Sequence, residues 1–365
     1  MEILCSREDF LTGVNTVQRA VPTKNTLPIL QGIKLKASDN KLWFEATDLE
    51  LSIRCYLPVT IHGEGEVVLP AKLFSEIVRK LPDSDLKIVS DDHNVNIYYN
   101  NSNFAVNGFD PEEFPEIAEI TSEDPIVLPS ALFKDMIKQT IFACAVDESR
   151  PVFTGLLLHI DKENILLIAT DTHRLAFTSS VIPGNEKEFK GIIPAKTMNE
   201  IYRLLDDEEV LTIKYNKSRV IFEFGSVQIL TRLIEGQFPN YKQVIPQSCN
   251  TKILVDGKKF LDTVERASLL SRDNYLKTNT VRFSVENSAI IINQHSEMGK
   301  ISEQIEIEQE GEDFTISFNA KYITDVLKVI NTEQVIMEAS GSYSPVVFRP
   351  VSDDSYLYLA LPLRN

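Results

Sequence analysis

The chain has 365 residues, 43% hydrophobic and 25% charged, enough for two or three domains that each bury a core. A net charge of −16 argues against a protein that holds nucleic acid by overall attraction, but allows a local basic surface. No run approaches about 18 apolar residues, and Met1 to Arg7 carries no basic or long apolar segment, so a soluble protein without a targeting signal is expected.

A first helix is expected from Arg7 to Ala20, with Phe10, Leu11, Val14 and Val17 on its apolar face. A loop at Val21 to Thr26 leads to strands at Ile29 to Lys36, Lys41 to Ala46 and Leu51 to Tyr56. A second helix begins near Pro70, followed by strands at Leu86 to Val89, Asn94 to Tyr99 and Phe104 to Val106. The same order then returns. A helix from Ser130 to Ala145 precedes strands at Gly155 to His159 and Ile165 to Ala169, and a third round opens with a helix at Lys258 to Leu270. The chain ends on a strand at Ser355 to Leu361. Polar joins fall at Glu119 to Pro125 and Gln247 to Lys252, short enough to fix neighbouring repeats at set angles.

The second helix of each round carries the repeat most openly. Leu69-Pro70-Ala71-Lys72 returns as Ile193-Pro194-Ala195-Lys196 and as Phe318-Asn319-Ala320-Lys321, at offsets of 124 and 125. Three domains are therefore expected, at 1–122, 123–248 and 249–365. Pro70 and Pro194 suit a first helical turn and Asn319 a cap. Leu73, Phe74, Ile77, Val78 and Leu81 form the apolar face in the first copy; Tyr322, Ile323, Val326, Leu327 and Ile330 form it in the third. Opposite lies a charged stripe: Lys72, Glu76 and Arg79; Lys196, Glu200 and Arg203; Lys321, Asp325 and Lys328. One such stripe reads as a solvated helix face, but three matched copies suggest that all face one partner. Ala46-Thr47-Asp48 and Ala169-Thr170-Asp171 repeat at an offset of 123, and Phe114-Pro115 and Phe238-Pro239 at 124.

The sequence offers little chemistry. The histidines (His62, His93, His159, His173, His295) show no metal spacing, and no phosphate loop, dinucleotide fingerprint or nucleophile elbow is present. Cys5, Cys55, Cys144 and Cys249 are scattered, as expected of reduced, mostly buried thiols. The best enzymatic candidate is a hydrolytic site of Asp171, His173 and Arg174; the other rival is an acidic scaffold that binds proteins only. No catalytic residue, cofactor or structural metal is expected.

Five stretches together resemble the bacterial sliding clamp family, the beta subunit of DNA polymerase III. They are Thr26-Leu27-Pro28-Ile29-Leu30, Ala46-Thr47-Asp48-Leu49-Glu50, Ala169 to Leu175, Glu235 to Tyr241 and Leu361-Pro362-Leu363-Arg364. The resemblance runs the length of the chain. It implies an α+β protein of three similar DNA-clamp domains, with helices lining a ring and antiparallel sheets outside, the ring closed by head-to-tail dimerisation. It implies a processivity factor and not an enzyme: a homodimer that encircles duplex DNA without sequence preference. Expected partners are the DNA polymerase III catalytic subunit, the clamp loader, and other polymerases, mismatch-repair proteins and ligase that carry clamp-binding peptides. The expected location is cytoplasmic, at the nucleoid during replication, with no membrane partner.

The resemblance also assigns sites. Lys72, Arg79, Lys196, Arg203, Lys321 and Lys328, with Lys24 and Arg150, would face DNA; Arg19, Lys134, Lys138, Lys259 and Arg266 are further candidates. A partner-peptide pocket would comprise Phe153, Thr170, Thr172, His173, Arg174, Leu175, Pro239, Val244, Pro345, Val346, Leu361, Pro362, Leu363 and Arg364. Thr172 stands where the family often has glycine, and Leu361 and Leu363 where it often has methionine; Asn25 beside Lys24 also departs from the commonest pattern. Phe104 and Val106, with Leu269 and Leu270, would form the dimer seam.

Overall fold

The computed structural model describes residues 1–24, 27–120, 124–270, 279–296 and 299–364. Asn25, Thr26, the expected domain boundary at 122/123 and Asn365 lie outside the described residues. Six α-helices are assigned among the described residues: α1 Arg7–Val17, α2 Ala71–Lys80, α3 Ser130–Thr140, α4 Ala195–Leu204, α5 Gly257–Leu270 and α6 Ala320–Leu327. The chain divides into two compact units, Met1–Lys134 with Asn199–Leu233, and Asp135–Met198 with Ile234–Asn365.

Unit one holds two antiparallel sheets. Five strands run in the order Thr60–Gly63, Glu2–Ser6, Asp85–Asp91, Asn94–Tyr99, Ser102–Asn107. Eight run in the order Ile126–Pro129, Val210–Tyr215, Arg219–Phe224, Val227–Arg232, Leu51–Pro58, Lys41–Thr47, Gly32–Ser38, Gly65–Pro70. Unit two repeats the plan with nine strands: Glu188–Pro194, Gly155–Asp161, Asn164–Thr170, Arg174–Val181, Tyr356–Ala360, Val346–Pro350, Gln334–Ala339, Thr251–Asp256, Glu308–Glu310. Its second sheet has four strands, Gly299–Glu306, Ala289–Ser296, Thr280–Glu286 and Phe314–Asn319.

The large sheets explain how one repeat is fixed to the next. Val227–Arg232, from the second repeat, pairs with Leu51–Pro58, from the first, with Thr231 opposite Leu51. Tyr356–Ala360, from the third, pairs with Arg174–Val181, from the second, with Ala360 opposite Arg174. Leu51 and Arg174 hold the same place in the repeat, so both joins use one register. Rigidity thus comes from a shared hydrogen-bond ladder as well as from short joins.

Helices pack against these sheets through buried rings. Phe10 of α1 meets Phe44 and Phe74 edge-on at centroid distances of 5.3 and 5.6 Å, and Phe260 of α5 meets Phe283 at 5.5 Å. Each fully buried ring contributes roughly 1.5–3 kcal/mol. Gly13 lets α1 lie close: a Cβ there would fall 2.6 Å from the Phe44 ring. Ser6 caps α1 by accepting from the Asp9 N–H at 3.1 Å.

Several expectations need correcting. The repeated helices begin at Ala71, Ala195 and Ala320, so Pro70 and Pro194 end strands instead of opening helical turns. Asn319 does cap, its side chain accepting from the Lys321 N–H at 3.0 Å. Leu73 is 51% exposed, because the buried arc of α2 runs through Phe74, Ile77 and Val78. α1 ends at Val17 and α3 at Thr140, each followed by a short 3-10 turn. Pro28–Gln31 is also a 3-10 turn, and Thr251 and Lys252 open a strand instead of belonging to a loop.

Candidate functional site

The segment Thr170-Asp171-Thr172-His173-Arg174 makes a closed turn in unit two. Asp171 Oδ1 accepts from the backbone N–H groups of His173 and Arg174 at 2.9 and 3.0 Å. The Thr170 hydroxyl donates to the Arg174 carbonyl at 2.7 Å and accepts from the Thr172 N–H at 3.2 Å. Thr172 sits at a φ of +79°, which accounts for the glycine expected there. Among the described residues no hydrogen bond joins Asp171 to the exposed His173 ring. Asp171 serves the turn and Arg174, which leaves the hydrolytic reading without its dyad.

Arg174 is 6% exposed and fully engaged. Its Nε donates to Asp171 Oδ2 at 3.0 Å, its Nη1 to Asp325 Oδ2 at 2.7 Å, and its Nη2 to the Phe142 carbonyl. The guanidinium stacks 4.6 Å from the centre of the Tyr322 ring. Burial opposes its charge, yet Tyr358, Asp325 and Asp171 together hold its pKa above the ordinary arginine value. Asp325 of α6 also binds Lys321 at 2.8 Å, so it is less a solvated stripe residue than an anchor between α6 and the turn.

Beside this turn lies a cavity of about 480 Å³, within the usual range for a ligand pocket. Its lining includes Phe153, Thr170, Thr172, Arg174, Leu175, Pro239, Val244, Pro345 and Leu361 from the expected set. His173, Val346, Pro362, Leu363 and Arg364 do not line it. Val346 faces away from it, while Val347 belongs to the apolar cluster of Leu157, Ile168, Leu175, Ile192, Phe238, Leu357 and Leu359. On a strand, one residue of register moves a side chain to the other face. Leu361 N–H donates to the His173 carbonyl at 2.8 Å and Leu363 N–H to the Ser317 carbonyl at 2.8 Å, pinning the C-terminal segment.

Phe238, Asn240, Tyr241, Gln243 and Leu359 also line the cavity and were missed. Phe238 and Tyr241 lie within the Glu235 to Tyr241 stretch already singled out, and Leu359 precedes Leu361 by the strand period of two. Those signals were available.

The eight expected DNA-facing cations are all exposed: Lys24, Lys72, Arg79, Arg150, Lys196, Arg203, Lys321 and Lys328. Several rest on acidic neighbours: Lys321 on Asp325, Lys328 on Glu265 at 2.8 Å, and Arg203 on Glu200 at 3.5 Å. Of these, only Lys328–Glu265 is exposed on both sides and worth about 0–1 kcal/mol; Asp325 and Glu200 are 15% and 13% exposed. Arg19, Lys134 and Arg266 are tied to Glu200, Asp207 and Glu303, which suits them to holding neighbouring elements together.

Of the expected seam residues, Phe104 is 43% and Leu269 66% exposed, and Leu270 is half-buried. Val106 is only 3% exposed, turned into unit one, so the strand Ser102–Asn107 presents Phe104 alone of the two. Burial pushes the Cys5, Cys55 and Cys144 thiols up to about 12, which makes them inert, whereas Cys249 is exposed. Among the described residues no group of three or more His, Cys, Asp or Glu could hold a metal ion, and no helix is long and apolar enough to cross a membrane.

Three helix-and-sheet repeats, joined twice through shared strands, define the three-domain clamp class of α+β protein. Family models for the N-terminal, central and C-terminal domains of the DNA polymerase III beta subunit match residues 1–118, 127–240 and 242–364. The chain belongs to that family, the non-catalytic sliding-clamp processivity subunit. It is 34% identical to the beta sliding clamp of Bacillus subtilis and 33% identical to that of Staphylococcus aureus, with 100% of both chains covered in each comparison. The crystal structure of the Bacillus subtilis sliding clamp superposes with a TM-score of 0.96, covering 100% of this chain and 99% of that one. A Pseudomonas aeruginosa sliding clamp bound to griselimycin, 25% identical, gives 0.93 with 100% of both chains covered.

Proposed function

We propose that two chains close head to tail into a ring around duplex DNA, with the unit-two cavity as the tether for partner peptides. The observation that carries the tether is the cavity itself: about 480 Å³ over an apolar floor, with Thr172, Asn240 and Gln243 as polar groups in its lining. A short apolar peptide gains affinity from the floor and orientation from these polar groups. The domains are taken as 1–122, 123–248 and 249–365. Lys24, Lys72, Arg79, Arg150, Lys196, Arg203, Lys321 and Lys328 face the duplex and contact phosphates without reading bases. A closed ring needs only weak contacts, since topology prevents escape and tight contacts would slow sliding.

The seam joins the edge strand Ser102–Asn107, led by Phe104, to Leu269 and Leu270 of the other chain, removing an open edge and exposed leucines from water. Partners are the DNA polymerase III catalytic subunit, the clamp loader, and polymerase, mismatch-repair and ligase proteins with matching peptides. The site of action is the cytoplasm, at the nucleoid during replication. Class-averaged negative-stain electron microscopy tests the ring. Closed six-lobed rings are expected, giving way to single arcs when Leu269 and Leu270 are both changed to glutamate. Arcs alone from the unaltered chain, or intact rings from the doubly charged variant, would overturn the assignment.

A further inference from the structure

Unit one contains a second copy of the pocket architecture. The turn Thr47 to Leu51 repeats the bonds of Thr170 to Arg174: Thr47 hydroxyl to the Leu51 carbonyl at 3.2 Å, and Asp48 Oδ1 accepting from the Glu50 and Leu51 N–H groups at 3.0 and 2.7 Å. Leu49 sits at a φ of +78°, as Thr172 does at +79°. Arg232 N–H donates to the Glu50 carbonyl at 3.1 Å, as Leu361 N–H does to that of His173 at 2.8 Å. A cavity of about 150 Å³ lies beside this turn.

Its walls carry different chemistry. Because both joins share one register, Arg219 stands where unit two has Pro345, and Arg232 where it has Leu361. Below the turn, Lys34, Glu45, Arg54 and Gln228 follow one another across the strands where unit two has Leu157, Ile168, Phe177 and Leu357. The apolar part of that face in unit one is confined to Ile221 and Leu230, packed with Ile117 and Ala118.

Arg219 and Arg232 are paired directly opposite each other on adjacent strands and line the same cavity. Like charges so placed repel. Among the described residues no ion pair or side-chain hydrogen bond reaches the Arg219 guanidinium, and Arg232 meets Glu50 only at 4.0 Å, both side chains more than half exposed. Leu49, Pro115, Ile117 and the largely buried Leu230 add apolar surface to the lining, which also carries the carboxylates Glu50 and Glu116. We propose that this cavity is a second docking site, for a short acidic peptide that sets a carboxylate between Arg219 and Arg232 and an aliphatic side chain against Leu230 and Ile117. The carboxylate neutralises the opposed guanidinia, and the aliphatic group separates a peptide from a bare anion. The site stands on unit one alone and does not depend on ring closure or on the unit-two pocket.

The test is fluorescence polarisation with a labelled Ala-Glu-Val-Glu-Ala peptide and its Ala-Gln-Val-Gln-Ala counterpart. Saturable binding of the acidic peptide is expected, at least about tenfold weaker for the neutral one and for Arg219→Gln and Arg232→Gln. Leu49→Asp, which tolerates the positive φ and repels the ligand, should weaken it comparably. Absence of saturable binding to the unaltered chain, or wild-type affinity in all three variants, would overturn the proposal. So would displacement by an excess of an uncharged, apolar peptide, which would place the probe in unit two. Displacement by inorganic phosphate at the peptide's own concentration would reduce the site to an unselective anion site and overturn peptide docking.

Discussion

Replacing Arg174 by alanine tests whether one buried cation holds the pocket turn to α6. Arg174 is 6% exposed and joins three groups: Asp171 at 3.0 Å, Asp325 at 2.7 Å and the Phe142 carbonyl. Removing one partner of a buried ion pair generally costs about 3–5 kcal/mol, because the remaining charge is stranded. Here the stranding is partial. Asp325 retains Lys321 at 2.8 Å, and Asp171 retains two backbone donors. The lower end, about 3 kcal/mol, is therefore expected. Urea unfolding followed by far-UV circular dichroism measures it, and Asp325→Asn with the double variant completes a cycle. The cycle should return a coupling of at least about 1 kcal/mol between the two side chains. A loss below about 1 kcal/mol in Arg174→Ala, or additivity of the two changes, would show that packing instead of this ion pair holds the turn.

Two further outcomes follow from local geometry. Thr172→Gly should stabilise unit two by about 0.5–1 kcal/mol, since the relief of a left-handed φ exceeds the added backbone entropy; Leu49→Gly should do the same in unit one. Destabilisation in the same urea series would mean that the threonine and leucine side chains matter more than the backbone. Burial raises the Glu45 carboxyl above its ordinary 4.5, with Lys34 and Arg54 opposing. The folded state thus holds that proton more tightly than the unfolded chain, so this contribution is full below 4.5 and is lost as pH rises through the folded pKa. Glu45→Gln lacks the step, so wild-type stability measured relative to it should fall across that window; a constant difference would refute the assignment.

The three-fold repeat, the six helices and nine of the 26 strands among the described residues were legible from the chain, because periodicity and turn residues act over a few neighbours. The turn at Ala169 to Leu175 and the Glu235 to Tyr241 segment likewise announced where the pocket wall would lie. Glu2–Ser6 and Thr60–Gly63 are among those missed: the first is five residues and the second four, too short to show strand alternation. Leu73 and Val346 were misassigned because composition names an apolar residue without saying which way it points.

Other features were decided only by tertiary structure. Arg54 meets Gln228 across 174 residues of sequence, and Arg174 meets Asp325 across 151. Arg219 and Arg232, unremarkable as surface charges, become an opposed pair only once their strands are in register. Repetition along a chain sets which local shapes recur. Pairing between distant strands sets what each recurring shape faces, and so made one copy of the pocket apolar and the other charged.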